Sequence, residues 1–298
     1  MPVLPVGWVL PGRASTVLIV QLSRQGGYRK EGTVRGAPAG VLGFVCPHLT
    51  GYPCPASTGV YWNTGTILGS LVCIQPGTGT LLGLHYTPGT ALARGSVVHV
   101  LREVYYGSVF RLLHSSGASL VFLPVLVHVY RGVFHGSYMY VSGVLVVGTG
   151  VYGVLMAIAF MGYVLPWGLM SYWGATVITN LCTGVPCMVP WLWGGFYISS
   201  PTLCRYYIIH SILPVPVPVL LVFHVVYIHR ISSSSSTGYN TNTRVAFYTW
   251  LVYKDTLVVP VVLEVSGVQV YQGIVMLAHP DNSLEVSVLF TPLHIVPE

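Results

Sequence analysis

The sequence predicts an all-α membrane protein, a transmembrane helix bundle with about five spans. Three observations carry that prediction. Charged residues are 7% and hydrophobic residues 53% of the 298 positions, whereas a soluble domain averages about 25% charged. Mean hydropathy is +0.70. From Gly132 to Cys204, 73 residues, there is no Asp, Glu, Lys or Arg. A soluble fold needs polar side chains to cover its surface. That composition excludes a cytosolic globule and a disordered chain. The net charge of +6 comes from only 13 Lys plus Arg, scattered singly, so no basic patch exists to bind nucleic acid.

A span needs roughly 20 apolar residues, and five stretches qualify: A, 61–83; B, 108–130; C, 143–163; D, 205–228; and E, 256–277. Pro88-Gly89 and the stretch Arg94 to Glu103 separate A from B, and Arg131 to Tyr138 separates B from C. The uncharged stretch 164–204 is rich in Trp, Pro and Gly, which predicts short helices at the membrane interface, where Trp is enriched. The Ser232–Ser236 run with Asn240 and Asn242 is a polar loop between D and E. Residues 278–298 form a final polar segment. The organisation is thus 1–51, an N-terminal extension; 52–230, a four-helix bundle with interfacial helices; and 231–298, a loop, span E and a terminal segment.

Basic residues in short loops set orientation. The N-terminal arm with the B–C and D–E loops carries Arg13, Arg24, Arg29, Lys30, Arg35, Arg131, Arg230, Arg244 and Lys254. The other side has Arg94, Arg102 and Arg205. The bias places the N-terminus inside and, after five spans, residues 278–298 outside. Pro76 and Pro124 interrupt spans A and B. Pro214, Pro216 and Pro218 alternate in span D and predict a kink there. No C-x-x-C pair occurs among the six Cys. Cys182 and Cys187 are close enough in sequence to bridge a loop, but free apolar thiols are the simpler reading.

Four histidines lie within spans: His114 and His128 in B, His210 and His224 in D, separated by 14 in both pairs. Fourteen residues turn about 1400°, some 40° short of four turns, and rise about 21 Å. Each pair therefore shares nearly one helix face. If B and D face each other, His114 meets His210 near the outer side and His128 meets His224 near the inner side. Two imidazoles flanking one level suit a six-coordinate heme iron, and polar groups inside spans are costly and usually functional. Gly65 and Gly79 in A, and Gly148 and Gly162 in C, repeat the same spacing and permit close backbone approach. Arg111 and Arg131 lie three residues outside the span B histidines, placed to pair heme propionates.

Met161-Gly-Tyr-Val-Leu-Pro-Trp-Gly-Leu-Met-Ser-Tyr-Trp-Gly-Ala-Thr-Val-Ile-Thr-Asn180 closely resembles the span C signature of cytochrome b, the core subunit of the respiratory cytochrome bc complex (complex III). Trp193-Gly-Gly-Phe196, Arg205-Tyr-Tyr-Ile-Ile-His210 and Thr291-Pro-Leu-His-Ile-Val-Pro-Glu298 also match, so the resemblance covers roughly 52–298. It implies two heme b groups, with His114 and His210 as ligands of the outer, low-potential heme and His128 and His224 of the inner, high-potential one. It implies a quinol-oxidation site at Phe160, Tyr163, Met170, Gly174, Ile178, Pro297 and Glu298. It implies a quinone-reduction site at His229, Ser233, Lys254 and Asp255. A His with a carboxylate can relay protons to quinone, and a Glu in an apolar pocket can accept them from quinol. The implied substrate is ubiquinol/ubiquinone, and the activity is ubiquinol–cytochrome c oxidoreductase in a Q cycle. The implied partners are the Rieske iron-sulfur protein, cytochrome c1, the lipid bilayer and a second copy of the complex. The implied place is the mitochondrial inner membrane with the N-terminus on the matrix side, the alternative being a bacterial plasma membrane.

Some positions depart from the family pattern. Leu169 replaces a polar residue, the interfacial region is about three residues short, and Arg230 with the serine run replaces an acidic, Gly/Asn-rich turn. The family continues beyond Pro297-Glu298 with three more spans, so a second polypeptide supplying them is expected, the alternative being that this sequence is part of a longer chain. A plastid-type short form has four spans and one more residue between its span D histidines. The spacing of 14 and span E favour the respiratory type. A heme-free subunit with a degenerate sequence is the rival from another class, and the four intact histidines oppose it.

Overall fold

The computed structural model describes residues 52–139, 142–231, 233–235, 243–276, 278–293 and 295. The extension 1–51, Pro297 and Glu298 lie outside the described residues. Five helical rods follow the five expected spans. Helix α1 is Thr64–Gly83, preceded by a 3₁₀ turn over Val60–Asn63. A short α2, Ala93–Arg102, leads to α3, Gly107–Phe134, and α4 is Ser142–Val164. Two interfacial helices, α5 (Leu169–Asn180) and α6 (Met188–Trp193), occupy the uncharged stretch. The fourth rod is α7, Ser200–Ile212, then α8, Val217–Ile231, and the fifth is α9, Phe247–Met276.

Among the described residues, α3 and α4 are each long and apolar enough to cross a membrane, and α7 with α8 makes a third crossing if the bent pair is one span. Helix α1 is sprinkled with Thr, Ser and Gly, and α9 carries Lys254, Asp255 and Glu264. The hydroxyls are accommodated within the helices. Ser70, Thr80, Ser115, Ser211 and Ser266 each donate to the carbonyl four residues back, which satisfies them without a partner from outside. Outward faces are apolar: Leu123, Val146, Val222 and Leu257 are all more than half exposed, as lipid-facing side chains are.

The α7–α8 pair is bent by 42° at its break. The cause is the Pro214-Val-Pro-Val-Pro218 run, since proline lacks the amide hydrogen and clashes with the preceding turn. Pro124 alone leaves α3 continuous over 28 residues. Ser199 is the N-cap of α7, and its backbone N–H donates to Thr202 Oγ1 at 3.1 Å, as in a capping box.

Packing groups the rods. Helices α1, α3 and α9 pack on one another, around Leu71, Val121, Val125 and Val262. Helix α4 packs on α7 and α8, and Met161, Val164, Leu203 and Tyr206 with Trp167 form the other core. Two features depart from the expectation. Helix α9 begins at Phe247, nine residues before the expected start of span E, because the helix runs past Lys254 and Asp255. A small antiparallel sheet joins β1, Pro53–Pro55, to β2, Arg244–Ala246, with Cys54 opposite Val245. Cys182 and Cys187 are free thiols.

Candidate functional site

Helix α3 from one group and α7–α8 from the other bring the four histidines together in two levels. The His114 and His210 ring centroids are 6.1 Å apart. Those of His128 and His224 are also 6.1 Å apart. A metal bonded at about 2 Å to the near nitrogen of each ring sets two imidazole centroids about 6 Å apart. No group of three or more His, Cys, Asp or Glu poised for a metal occurs among the described residues. Two histidines alone suit a metal that brings its remaining ligands with it, as a macrocycle does.

The glycines occupy the other side of each ring. A Cβ placed on Gly79 would come 2.8 Å from His114 Cε1, and one on Gly162 would come 2.6 Å from His210 Cε1. A Cβ on Gly148 would come 3.0 Å from His224 Cε1, and on Gly65 3.9 Å from His128 Cε1. Each glycine of the 14-residue repeat thus faces its own histidine, two from α1 and two from α4.

The outer-facing nitrogen of three of the four rings has its own partner. Thr78 Oγ1 lies 3.0 Å from His114 Nδ1, and Thr64 Oγ1 lies 3.1 Å from His128 Nδ1. His210 Nδ1 lies 2.8 Å from the Ile158 carbonyl. His224 Nδ1 is buried facing the Val144 carbonyl, without reaching hydrogen-bond geometry. Thr64 and Thr78 escaped the sequence reading. Their signal was present, as the dipeptides Thr64-Gly65 and Thr78-Gly79 repeat at the spacing of the histidines.

Arg131 ends the inner level. Its guanidinium stands 5.3 Å over the Trp62 ring, and Trp62 in turn lies 5.1 Å from the His135 ring. Arg131 Nε and Trp62 Nε1 are buried donors with no partner. Two such donors beside one histidine pair fit a carboxylate. Arg111 is half-buried on α3, one turn before His114.

The residues expected at the outer quinol site converge in part. Tyr163 donates to Asn282 Oδ1 at 2.8 Å, and its carbonyl accepts from Ser171. A Cβ on Gly174 would touch the Tyr163 ring at 3.5 Å. Met170 is buried, Ile178 is half-buried on the same helix α5, and Phe160 packs edge-on against Tyr206 at 5.8 Å. Residues 282–287 clasp this corner. Leu169 N–H donates to the Leu284 carbonyl, Trp173 Nε1 donates to the Ser287 carbonyl, and Arg94 donates to the carbonyls of Ser283 and Leu284. Nearby, burial pushes the Tyr86 phenol above its usual range, and its hydroxyl donates to the Leu165 carbonyl at 2.7 Å.

The four residues expected at the inner quinone site fall into three groups. His229 stacks on Tyr52 at 3.9 Å, and Tyr52 Oη lies 3.2 Å from Ser233 Oγ. Asp255 accepts from Asn63 Nδ2 at 2.6 Å and from Thr66. Lys254 donates to the Thr58 carbonyl at 3.1 Å and stands 4.5 Å over Trp250. A cleft of about 410 Å³, lined by Thr66, Asp255 and Val259 among others, opens beside the carboxylate. Tyr52 and Asn63 were not anticipated: Tyr52 lies upstream of the first span, and Asn63 is a single polar residue at its edge, so neither carries a periodic signal. The sheet sets Tyr52 in place beside Cys54, whose thiol burial pushes up to about 12 against the opposing pull of Arg244.

An α-helical membrane bundle with two levels of facing histidines, each ring backed by glycine, is the class this architecture defines. Residues 49–232 match the family described as Cytochrome b/b6/petB. The chain is 40% identical over 257 residues to a cytochrome b of Plasmodium berghei, covering 86% of this chain and 68% of that one. It is 42% identical over 251 residues to a cytochrome b of Toxoplasma gondii, covering 84% and 68%. A chain of a solved structure described as "Hyperthermophilic respiratory Complex III" superposes with a TM-score of 0.79 at 26% identity, covering 88% of this chain and 72% of that one. The chain belongs to the cytochrome b family.

Proposed function

We propose that this chain carries electrons across a membrane between a quinol-oxidation site on the outer side and a quinone-reduction site on the inner side, as the quinone-reacting subunit of complex III. Two heme b groups, one per histidine pair, would supply one-electron carriers at the two levels. The observation that carries this reading is the repeated construction, in which both pairs stand 6.1 Å apart and each ring faces a glycine.

The residues have separate tasks. His114 with His210, and His128 with His224, offer nitrogens to a metal from opposite sides. Gly65, Gly79, Gly148 and Gly162 leave room for a flat group against the helix backbones. Arg131 with Trp62, and Arg111 at the other end of α3, hold propionate carboxylates. At the outer corner, Phe160, Tyr163, Met170, Gly174 and Ile178 form the wall against which ubiquinol docks, with Pro297 and Glu298 assigned there from the family motif. At the inner end, Asp255 is the proton carrier, kept in place by Asn63 and Thr66. His229, Ser233 and Lys254 bind the quinone head from the far side. The partners are other subunits of the complex, the Rieske iron-sulfur protein and cytochrome c1, in a mitochondrial inner membrane.

The test is a reductive titration of the purified protein followed by visible absorbance. Two b-type centres with distinct potentials are expected. A single centre, or none, overturns the reading.

A further inference from the structure

Beyond binding the rings, the structure fixes where their protons sit. Thr64 Oγ1 donates its one hydrogen to the Tyr61 carbonyl at 2.8 Å. Thr78 Oγ1 has carbonyl neighbours at Ile74, 2.9 Å, and Gln75, 3.1 Å. A carbonyl only accepts, and a hydroxyl has one hydrogen to give. With each threonine hydrogen given to its carbonyl, the oxygen is left as an acceptor toward the imidazole, and Nδ1 of His128 and His114 carries the hydrogen. The Arg131 contact with His128 Nδ1 is longer, 3.5 Å, at the weak limit for such a bond. The shorter threonine contact decides the tautomer. On the opposite side, the Ile158 carbonyl imposes the same tautomer on His210. His114, His128 and His210 would then offer bare Nε2 lone pairs to a metal held between the paired rings.

The two sides differ in one respect. The α4 side offers backbone carbonyls, Ile158 bonded to His210 and Val144 facing His224, which no substitution removes. The α1 side sets a hydroxyl beside each ring, which depends on the side chain at positions 64 and 78, and at His114 the Gln75 carbonyl is a further acceptor. Helix α1 holds both with the same spacing, each directly before the glycine that clears its ring. An acceptor on Nδ1–H raises the donor strength of the opposite nitrogen toward a bound metal. A stronger donor favours the oxidised iron and lowers its potential.

We infer that Thr64 and Thr78 are positioning residues that fix the tautomer of His128 and His114 and set the reduction potential of the centre each histidine ligates, one threonine per level. This rests on the diheme reading above.

The experiment is redox titration of the wild-type protein and of Thr64→Val, Thr78→Val, Thr64→Ser and Thr78→Ser in the assembled complex, with absorbance and electron paramagnetic resonance read at each centre. Valine matches threonine in shape and removes the acceptor. Thr64→Val should shift the oxidation equilibrium of the inner centre severalfold toward the reduced form and leave the outer centre unmoved. Thr78→Val should shift the outer centre the same way by a smaller factor, because the Gln75 carbonyl stays beside His114, and leave the inner centre unmoved; each serine variant should restore the wild-type potential. Two intact centres that neither valine variant moves would overturn the assignment and leave the diheme reading standing. Equal shifts at both centres from either variant, or a serine variant that stays shifted, would also overturn it, since a general packing defect acts that way. A wild-type protein lacking two titrating centres would sink the diheme reading, and this one with it.

Discussion

Gly162 and His210 occupy the same space: a methyl group on the glycine would lie 2.6 Å from the ring's Cε1. Gly79 stands in the same relation to His114 at 2.8 Å, whereas Gly65 leaves His128 at 3.9 Å, ordinary contact distance. These distances rank the substitutions. Alanine in a helix interior is about 1 kcal/mol more favourable than glycine, so a loss on Gly→Ala reports the ring and not the helix. Gly79→Ala and Gly162→Ala should each deplete the outer b-type centre, and Gly65→Ala should leave the inner one close to full occupancy. Absorbance per protein of the purified variants measures this. Equal losses at all three positions would mean that the glycines serve helix packing instead.

Removing one ligand should remove one level. His128→Leu and His224→Leu each take away half of the inner pair and fill the space with apolar volume, so the bundle should still assemble. The expected result is loss of the high-potential centre with the other retained. Survival of both centres in His224→Leu would break the pairing read from the 6.1 Å distance.

Asp255→Asn keeps an oxygen to accept from Asn63 and gives up the titratable proton. Reoxidation of the inner centre by quinone should slow severalfold, and its reduction through the outer site should stay near wild type. Stopped-flow absorbance separates the two steps. An unchanged reoxidation rate would place quinone reduction elsewhere.

Tyr52 lies on the same inner side. Tyr52→Phe keeps the ring stacked on His229 and drops the hydroxyl near Ser233, whereas Tyr52→Leu loses the stack, worth about 0.5–1.5 kcal/mol. If the stack orients His229 toward quinone, the leucine variant should raise KM for quinone severalfold while the phenylalanine variant stays near wild type. Steady-state kinetics decide it, and equal effects of the two would assign the role to the hydroxyl.

What was legible in the sequence was periodic. The histidines of α3 and the glycines of α1 and α4 repeat every 14 residues on single helices, so a helix of 3.6 residues per turn aligns them without knowledge of the fold, and the second histidine pair keeps the same spacing across the bend. The α3 and α4 spans were legible because their apolar runs are long and uninterrupted. Pairings between distant segments were not. Pro53–Pro55 meets Arg244–Ala246 across most of the chain, and three-residue strands carry no alternation to read. The start of α9 was misplaced because Lys254 and Asp255 mark a membrane edge, and a helix does not stop where the bilayer does. The inner-site residues were expected at one site because the family resemblance implies it. In the fold, His229 turns to Tyr52 and Asp255 to Asn63, two partners lying upstream of α1.

The bend in the fourth rod joins the two levels and supplies the last prediction. His210 sits on α7 and His224 on α8, with the break between them. Their partners His114 and His128 lie on the continuous helix α3. Both pairs reach 6.1 Å although one side is bent by 42° and the other is unbroken. The bend therefore belongs to the geometry that lets both levels close together. Each proline disfavours helix by about 3 kcal/mol relative to alanine, so replacing Pro214, Pro216 and Pro218 by alanine favours one straight helix across the break. A straight rod would turn His224 away from its present line relative to His210. Only one level would then keep its spacing. The triple variant should hold close to one b-type centre per chain, with helix content by circular dichroism equal to or above wild type. Two centres at unshifted potentials in that variant would show that the bend is incidental to the pairs.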